Sequence, residues 1–547
     1  MTILSSVRRN QLPRSILLHL LCGLLSPAIS IALDEKPPVV RIDPAGFRGS
    51  LVIGGGGNFP AEARERFIKL AGGKDAKLVI IPTARDDAAL EKRESSLKLW
   101  EAAKLASVVL LQVRSRDEAN RDAVIAPLKE ASGVWFDEGD PLSLAAAYRG
   151  TTVEREVAAV LHRGGVVGSM SDAVNILGLR MAVHCGAKAE TPMGWDLLAG
   201  TVIEPHFIER KRRSRLPDAL ERHPELFGLG IDEETAVIIR GRTMDVLGAG
   251  NLTITLAKSA TRPAREIVFK EGEQTDLTRW RLAARARTAP PFPAPQPAEP
   301  KVASGSLVIV GGGGLPAEVV TRFVELAGGP ESTIVVLPTA NPSTPQVAER
   351  EGRFLEKAGC KHVVTLPQTT LSDVSSPEFL ATLKSAKGIW FGGGRQWRFV
   401  DAYADTPAIE AFHDVLQRGG VIGGSSAGAT IQGEYLVRGS PQGNAEMMAE
   451  GYERGFGFLP GVAIDQHFTQ RKRQADLLSV MTAHPQLLGI GLDETTAIIV
   501  TGSTAEVMGK HRAHFYNTRM PTAEGAPECV SLESGSRYDL VERKAKP

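Results

Sequence analysis

In the C-terminal part of the chain, short apolar runs recur with helical stretches between them: Leu307 to Val310, Thr333 to Leu337, His362 to Leu366, Gly388 to Phe391, Gly420 to Gly423 and Ala497 to Val500. The runs are continuous rather than alternating, which suits strands buried on both faces. Strands separated by helices predict a parallel, doubly wound α/β sheet. In such sheets ligands gather at the carboxyl ends of the strands, around a topological switch point. Gly392-Gly393-Gly394 follows one run directly, and Gly424-Ser425-Ser426-Ala427-Gly428 follows another, so both are expected at one crevice. The second segment opens a helical stretch, Ala429-Thr430-Ile431-Gln432. Strand, Gly-x-Ser-x-Gly, helix is the setting of a nucleophile elbow.

The pattern occurs twice. Gly49-Ser50-Leu51-Val52-Ile53 with four glycines after it returns as Gly305-Ser306-Leu307-Val308-Ile309-Val310 with four glycines. Pro82-Thr83-Ala84 returns as Pro338-Thr339-Ala340, and Asp232-Glu233 as Asp493-Glu494. A period of about 255 residues is far too long for a solenoid repeat and fits two tandem domains. The first is expected over 40–287 and the second over 305–545. Between them Thr288 to Ser304 holds six prolines and reads as a stiff spacer. Residues 1–32 read as a secretory signal peptide: Arg8, Arg9 and Arg14 precede an apolar stretch from Ile16 to Leu25, and Ala28, Ser30 and Ala32 offer cleavage sites. A secreted or periplasmic location follows, with no membrane attachment after cleavage.

Composition narrows the chemistry. The net charge of +1 gives no basic field for nucleic acid. No Cys/His cluster has zinc spacing, so no metal is expected. The run Gly311 to Gly314 lacks the spacing of a dinucleotide fingerprint and is expected to pack against the crevice. No cofactor is expected either. Past the signal, Cys185, Cys360 and Cys529 occupy non-equivalent positions in the two repeats, which argues against a shared disulfide. A serine nucleophile needs a base, and the base an orienting acid. His467 follows an apolar run in Ile464-Asp465-Gln466-His467-Phe468, and Asp493-Glu494 stands just before the run at 497–500. Composition alone leaves Asp493 and Glu494 as alternatives for the acid.

Four motifs in order, Phe391-Gly392-Gly393-Gly394-Arg395-Gln396, Gly423-Gly424-Ser425-Ser426-Ala427-Gly428-Ala429, Asp465-Gln466-His467-Phe468 with Arg471 and Arg473, and Leu492-Asp493-Glu494-Thr495-Thr496-Ala497, resemble cyanophycinase and the S51 peptidases, which include peptidase E. The resemblance covers about the whole second repeat. It implies a class I glutamine amidotransferase-like (flavodoxin-like) fold and hydrolysis of aspartyl peptide bonds, β-linked in cyanophycin. It also implies Ser426 as nucleophile, His467 as base and Glu494 as the orienting acid. The oxyanion hole would be the N–H groups of Ala427 and Gly393, and Gln396, Asp465, Gln466, Arg471 and Arg473 would form the substrate pocket. Two positions depart from the pattern: Arg395 replaces an acid, and Asp476 replaces a third pocket arginine, where it is expected to repel an acidic substrate group.

The first repeat keeps Ser171, His206 and Glu233 with Arg210, Arg212 and Arg215, but Asp137-Glu138 replace Gly392-Gly393, Pro141 replaces Gln396 and Asp172 replaces Ala427. A carboxylate at about 5 Å from a developing oxyanion costs roughly 3 kcal/mol at an effective dielectric near 20. Its elbow also loses both glycines, and a deformed turn is expected. The first repeat therefore reads as a degenerate, pseudoenzyme copy, and the second as a serine-type exopeptidase for aspartyl peptides. The alternative is a non-catalytic aspartyl-peptide binder of the same fold. The two repeats are expected to pack as an intramolecular pseudo-dimer with twofold character.

Overall fold

The structure is a computed structural model that describes residues 41–84, 100, 103–185, 188–341, 350–521 and 527–547. The signal-peptide segment 1–32 lies outside the described residues. Residues Asp43–Pro547, both repeats included, form one compact unit. Among the described residues no helix is long and apolar enough to cross a membrane.

All six apolar runs of the second repeat are strands of one nine-stranded sheet, in the order His362–Thr365, Thr333–Leu337, Gly388–Phe391, Val421–Ser425, Val302–Val310, Thr496–Gly502, Thr504–Gly509, Arg537–Asp539, Lys544–Lys546. The first five are mutually parallel. Alternate residues of each run enter opposite layers. Leu307, Ile309, Val335, Leu337, Ile389 and Phe391 pack in one core, while Val308, Val310, Ile334, Val336 and Trp390 pack in the other. Helix Ala317–Leu326 buries Val319, Phe323 and Val324 on the second face. Helices Pro377–Ser385, Trp397–Tyr403 and Pro407–Gln417 cover the first. Burial on both sides is why the runs are continuous. The sixth strand departs from the all-parallel expectation: Thr496–Gly502 runs antiparallel to Val302–Val310. The hairpin to Thr504–Gly509 continues that edge antiparallel.

A second sheet of five strands stands beside it, in the order Gly433–Tyr435, Leu459–Gln466, Leu488–Leu492, Ala513–Pro521, Pro527–Leu532. The first repeat repeats the plan with an eight-stranded sheet, centred on Phe47–Gly54 and Val166–Met170, and its own five-stranded sheet. Between the repeats, helix Leu277–Thr288 is followed by 289–301, which forms neither helix nor strand before Val302. Phe292 in this stretch stacks on Tyr435, with 6.0 Å between ring centroids, beneath the guanidinium of Arg454.

The two repeats touch through charge. Arg242 binds Asp401 and Tyr452, Arg262 binds Glu453, Arg279 binds Glu446 and Gln442, Arg285 binds Asp405, and Arg287 binds Glu450. A twofold pair would join equivalent patches, each contact occurring twice. The pairs named here instead run from arginines of the first repeat to acids and polar groups at non-equivalent places on the second.

Candidate active site

Strand Val421–Ser425 ends at Ser426, whose backbone turns to φ 56 and ψ −110 before helix Ala427–Thr430 begins. Such conformations cost on the order of 1–3 kcal/mol for a residue other than glycine and persist only where the surroundings enforce them. Here the enforcement is steric. A side chain on Gly424 would come within 2.3 Å of the Gly428 carbonyl oxygen, and one on Gly428 within 2.0 Å of the Phe391 carbonyl oxygen. Two glycines thus let three backbone segments meet beneath the serine.

The candidate base and acid come from the other sheet. His467 follows strand Leu459–Gln466 and Glu494 lies two residues past Leu488–Leu492. Ser426 Oγ stands 3.0 Å from His467 Nε2, and His467 Nδ1 stands 2.6 Å from Glu494 Oε1. Asp493, the other candidate acid, points elsewhere: its Oδ1 accepts from the Thr469 N–H and hydroxyl, at 3.0 and 2.6 Å. The run Gly311 to Gly314 holds this seam together. The His467 N–H donates to the Gly311 carbonyl at 2.8 Å and the Thr495 N–H to the Gly312 carbonyl at 2.7 Å. A Cβ on Gly312 would fall 2.4 Å from the His467 ring, and one on Gly313 would fall 2.5 Å from Glu494. The backbone lies flat on the base and the acid, and any side chain would displace them.

Burial is the leading influence on His467 and lowers its pKa below 6.5; the Glu494 hydrogen bond opposes this, and the nearby Arg471 charge adds to the lowering. The imidazole is therefore neutral near pH 7 and able to take a proton. The Ala427 N–H is the first of its helix and has no intrahelical acceptor. Gly393 lies close by, since a Cβ there would be 3.7 Å from Ser426 Cβ.

The residues expected to form the pocket divide into two sets. Asp465 is fully buried and bound by Arg473 Nη1 at 3.0 Å and by Arg438 Nε at 3.3 Å. Gln396 spends its amide donor on the carbonyls of Val437 and Arg438, at 3.0 and 2.8 Å, and so anchors the loop that carries Arg438. These residues build the wall. Arg471 is exposed beside the triad, and Gln466 keeps a buried Oε1 without a hydrogen-bond partner. Those two side chains are not spent on the wall. Arg438 was not legible in the sequence; it sits in an irregular loop at φ 56, far from its partner along the chain. It supplies the cation missing at 476, and it corrects the expectation for Asp476. That carboxylate does not stand free to repel a substrate, because Arg438 Nη2 donates to its Oδ2 at 2.5 Å. Arg395 also reaches away from the triad, donating to the Ser440 carbonyl at 3.3 Å.

The first repeat holds the same three groups in the same relation. Ser171 Oγ lies 2.8 Å from His206 Nε2 and His206 Nδ1 lies 2.6 Å from Glu233 Oε1. The deformed turn expected there is not found at the serine, whose φ is 58. The lost glycines, now Ser169 and Ala173, act one step later: a 3₁₀ helix, Ser171–Leu177, replaces the α-helical turn. Asp137 and Glu138 also leave the loop backbone unchanged, because neither Gly392 nor Gly393 has a positive φ, while Gly139 and Gly394 share φ 142. Among the described residues no group of three His, Cys, Asp or Glu side chains could hold a metal ion.

Comparison with known proteins assigns both halves to one family. The model of peptidase family S51 matches residues 50–247 and 307–508. A cyanophycinase of Geminocystis herdmanii is 32% identical over 196 residues, covering 35% of this chain and 72% of that protein. A cyanophycinase of Trichormus variabilis is 28% identical over 246 residues, covering 42% of this chain and 83% of that protein. Among solved structures, a peptidase from an acI-B1 Actinobacterium is 23% identical with a TM-score of 0.35, covering 44% of this chain and 98% of that one.

Proposed function

The chain belongs to peptidase family S51 over both of its halves, and on that premise we propose that the second half is a serine-type exopeptidase for aspartyl peptide bonds, β-linked ones included. The observation that carries this reading is the continuous hydrogen-bond chain Ser426–His467–Glu494, 3.0 and 2.6 Å long, on a serine held at positive φ at a strand end. Ser426 Oγ attacks the scissile carbonyl while its proton passes to neutral His467 Nε2. Glu494 holds the ring in register and stabilises the imidazolium. The developing oxyanion is received by the N–H groups of Ala427 and Gly393, donors of a kind whose single loss costs about 10²–10³ in rate. His467 then protonates the leaving amine, and water repeats the sequence to free Ser426.

Substrate class follows from the pocket and from the relatives, two of which are cyanophycinases. Arg471 offers charge to a carboxylate, with Arg473 held behind it by Asp465, and the unpartnered Gln466 Oε1 offers an acceptor to a substrate N–H. The first half, in this reading, does not turn over as it stands. Residues 1–32 read as a signal peptide and place the activity outside the cytoplasm in the same proposal.

Fluorophosphonate labelling, combined with mass spectrometry of products from cyanophycin and from α- and β-aspartyl dipeptides, tests the proposal. Ser426→Ala should abolish hydrolysis, whereas Ser171→Ala should leave it within about twofold, since only the second half combines the triad with an uncharged elbow. Equal losses would show two working centres, and an unlabelled Ser426 with no cleavage would leave the aspartyl-peptide binder as the function.

A further inference from the structure

We propose that the first half is a latent hydrolytic centre closed by its own Asp172, whose carboxylate fills the seat that Arg210 and Arg212 would otherwise offer to the carboxylate of an aspartyl ligand. The inference rests on the reading that this arginine pair receives substrate carboxylate. The two halves of the molecule act as controls for each other. At equivalent places stand Arg210 and Arg471, Arg212 and Arg473, Glu204 and Asp465, and Asp172 and Ala427.

In the first half Arg210 Nη1 donates to Asp172 Oδ2 at 3.1 Å, and Arg212 donates to both oxygens of the same carboxylate. In the second half the equivalent position is a methyl group, and Arg471 stands exposed at the crevice. Beyond Arg210, each half also sets two acids against two further arginines, in different ways. The first half uses Glu204 and Asp172 with Arg212 and Arg215; the second uses Asp465 and Asp476 with Arg473 and Arg438. The balancing acid thus sits next to the nucleophile in the first half and out on helix Gln474–Ala483 in the second. Burial pushes the Glu204 carboxyl up to about 8. Burial also disfavours charge on Asp172, but the Arg212 hydrogen bond and charge outweigh it and hold its pKa below the ordinary range. Asp172 is therefore the carboxylate that answers Arg212 near neutral pH.

Behind this plug the triad and the backbone of the oxyanion loop keep their geometry. The three triad groups keep hydrogen-bond distances of 2.8 and 2.6 Å. The oxyanion loop keeps its backbone bonds: Asp137 N–H to Ile81 O at 3.1 Å matches Gly392 to Leu337 at 3.0 Å, and Asp140 to Ala84 at 2.9 Å matches Arg395 to Ala340 at 2.8 Å. With the seat vacated, Ser171 Oγ would bond the substrate acyl carbon and its proton would go to His206 Nε2. The C–N bond would then break with that proton on the departing amine, and water would release the acid.

The test uses the full chain carrying Ser426→Ala, so that Ser171 is the only elbow serine. Phosphonylation of Ser171 by a fluorophosphonate, in which the Oγ–P bond forms and fluoride leaves, is followed with and without succinate. Hydrolysis of β-aspartyl-arginine is measured alongside. Without further change, labelling should be indifferent to succinate and hydrolysis at background. Adding Asp172→Ala should make labelling succinate-sensitive and raise hydrolysis by at least about tenfold, the worth of one charge-assisted contact. Asp172→Asn, which keeps the shape and loses the charge, should shift both in the same direction if the alanine variant folds poorly. Labelling that stays indifferent to succinate in both variants would show that the seat is not what Asp172 fills. Hydrolysis that stays at background would show the centre to be dead rather than latent. Either result overturns the proposal. Neither depends on whether Ser426 is labelled in the unaltered protein, which is the separate measure of the second half.

Discussion

At His467, opposing influences meet in one ring. Burial leads in lowering its pKa below 6.5, Arg471 and Arg473 add to that, and the Glu494 hydrogen bond pulls the other way. In the proposed mechanism the working base is the neutral form, so kcat/KM should stay high as pH falls through 6.5 and decline only below it. Removing a neighbouring positive charge with Arg471→Gln should make protonation easier and move the acid limb to higher pH, which a pH–rate profile would read. An unmoved limb would mean that Arg471 does not act on the base. Gly312 bears on the same ring. A methyl group there would lie 2.4 Å from the His467 ring, so Gly312→Ala should push the base out of line with Ser426. Misplacement by about 1 Å can cost 10²-fold in rate, and kcat measured beside unchanged near-UV circular dichroism would separate this from misfolding.

Elements explain what could be foreseen from the sequence and what could not. Strands such as Thr333–Leu337 announced themselves because both faces are buried and every residue must be apolar. The order of serine, histidine and acid was legible too, with the glycines that let backbone lie against them. The five-stranded sheet was not, although it carries His467 and Glu494: Leu488–Leu492 reads Leu-Gly-Ile-Gly-Leu, a run with too few side chains to announce a strand. Arg438 was equally hidden, because nothing local in its loop points to Asp465 on a neighbouring strand. That omission reverses one expectation. With Asp476 read as a lone acid, Asp476→Arg would restore a pocket cation. With Arg438 Nη2 only 2.5 Å from Asp476 Oδ2, the same change sets two guanidinium groups against each other. Asp476→Arg should lower thermal stability and raise KM on aspartyl peptides, and a gain in activity would show that the Arg438 loop yields easily.

Across the whole molecule, ion pairs join the halves beside the apolar contact of Leu282 with the second half's core, and one of those pairs is deeply placed. The Arg287 and Glu450 side chains are 1% and 5% exposed, joined by bonds of 2.7 and 3.1 Å. Removing one partner of a buried pair typically costs about 3–5 kcal/mol, because the other charge is stranded. Arg287→Ala should therefore lower Tm by several degrees, and Arg287→Ala with Glu450→Gln should recover part of the loss; equal Tm for all three proteins would show that the pair contributes nothing. A surface that presents arginines at one place and receives them at another is the geometry of a propagating polymer, in which each unit docks on the next. Propagation needs every unit to carry both ends. Strand pairing sets Arg279 of the first half against Glu542 of the second, and the matching helices set Asp401 against Ala146. At these positions the second half lacks an arginine, and the first an acid, with which the same contacts would pass on to a further copy.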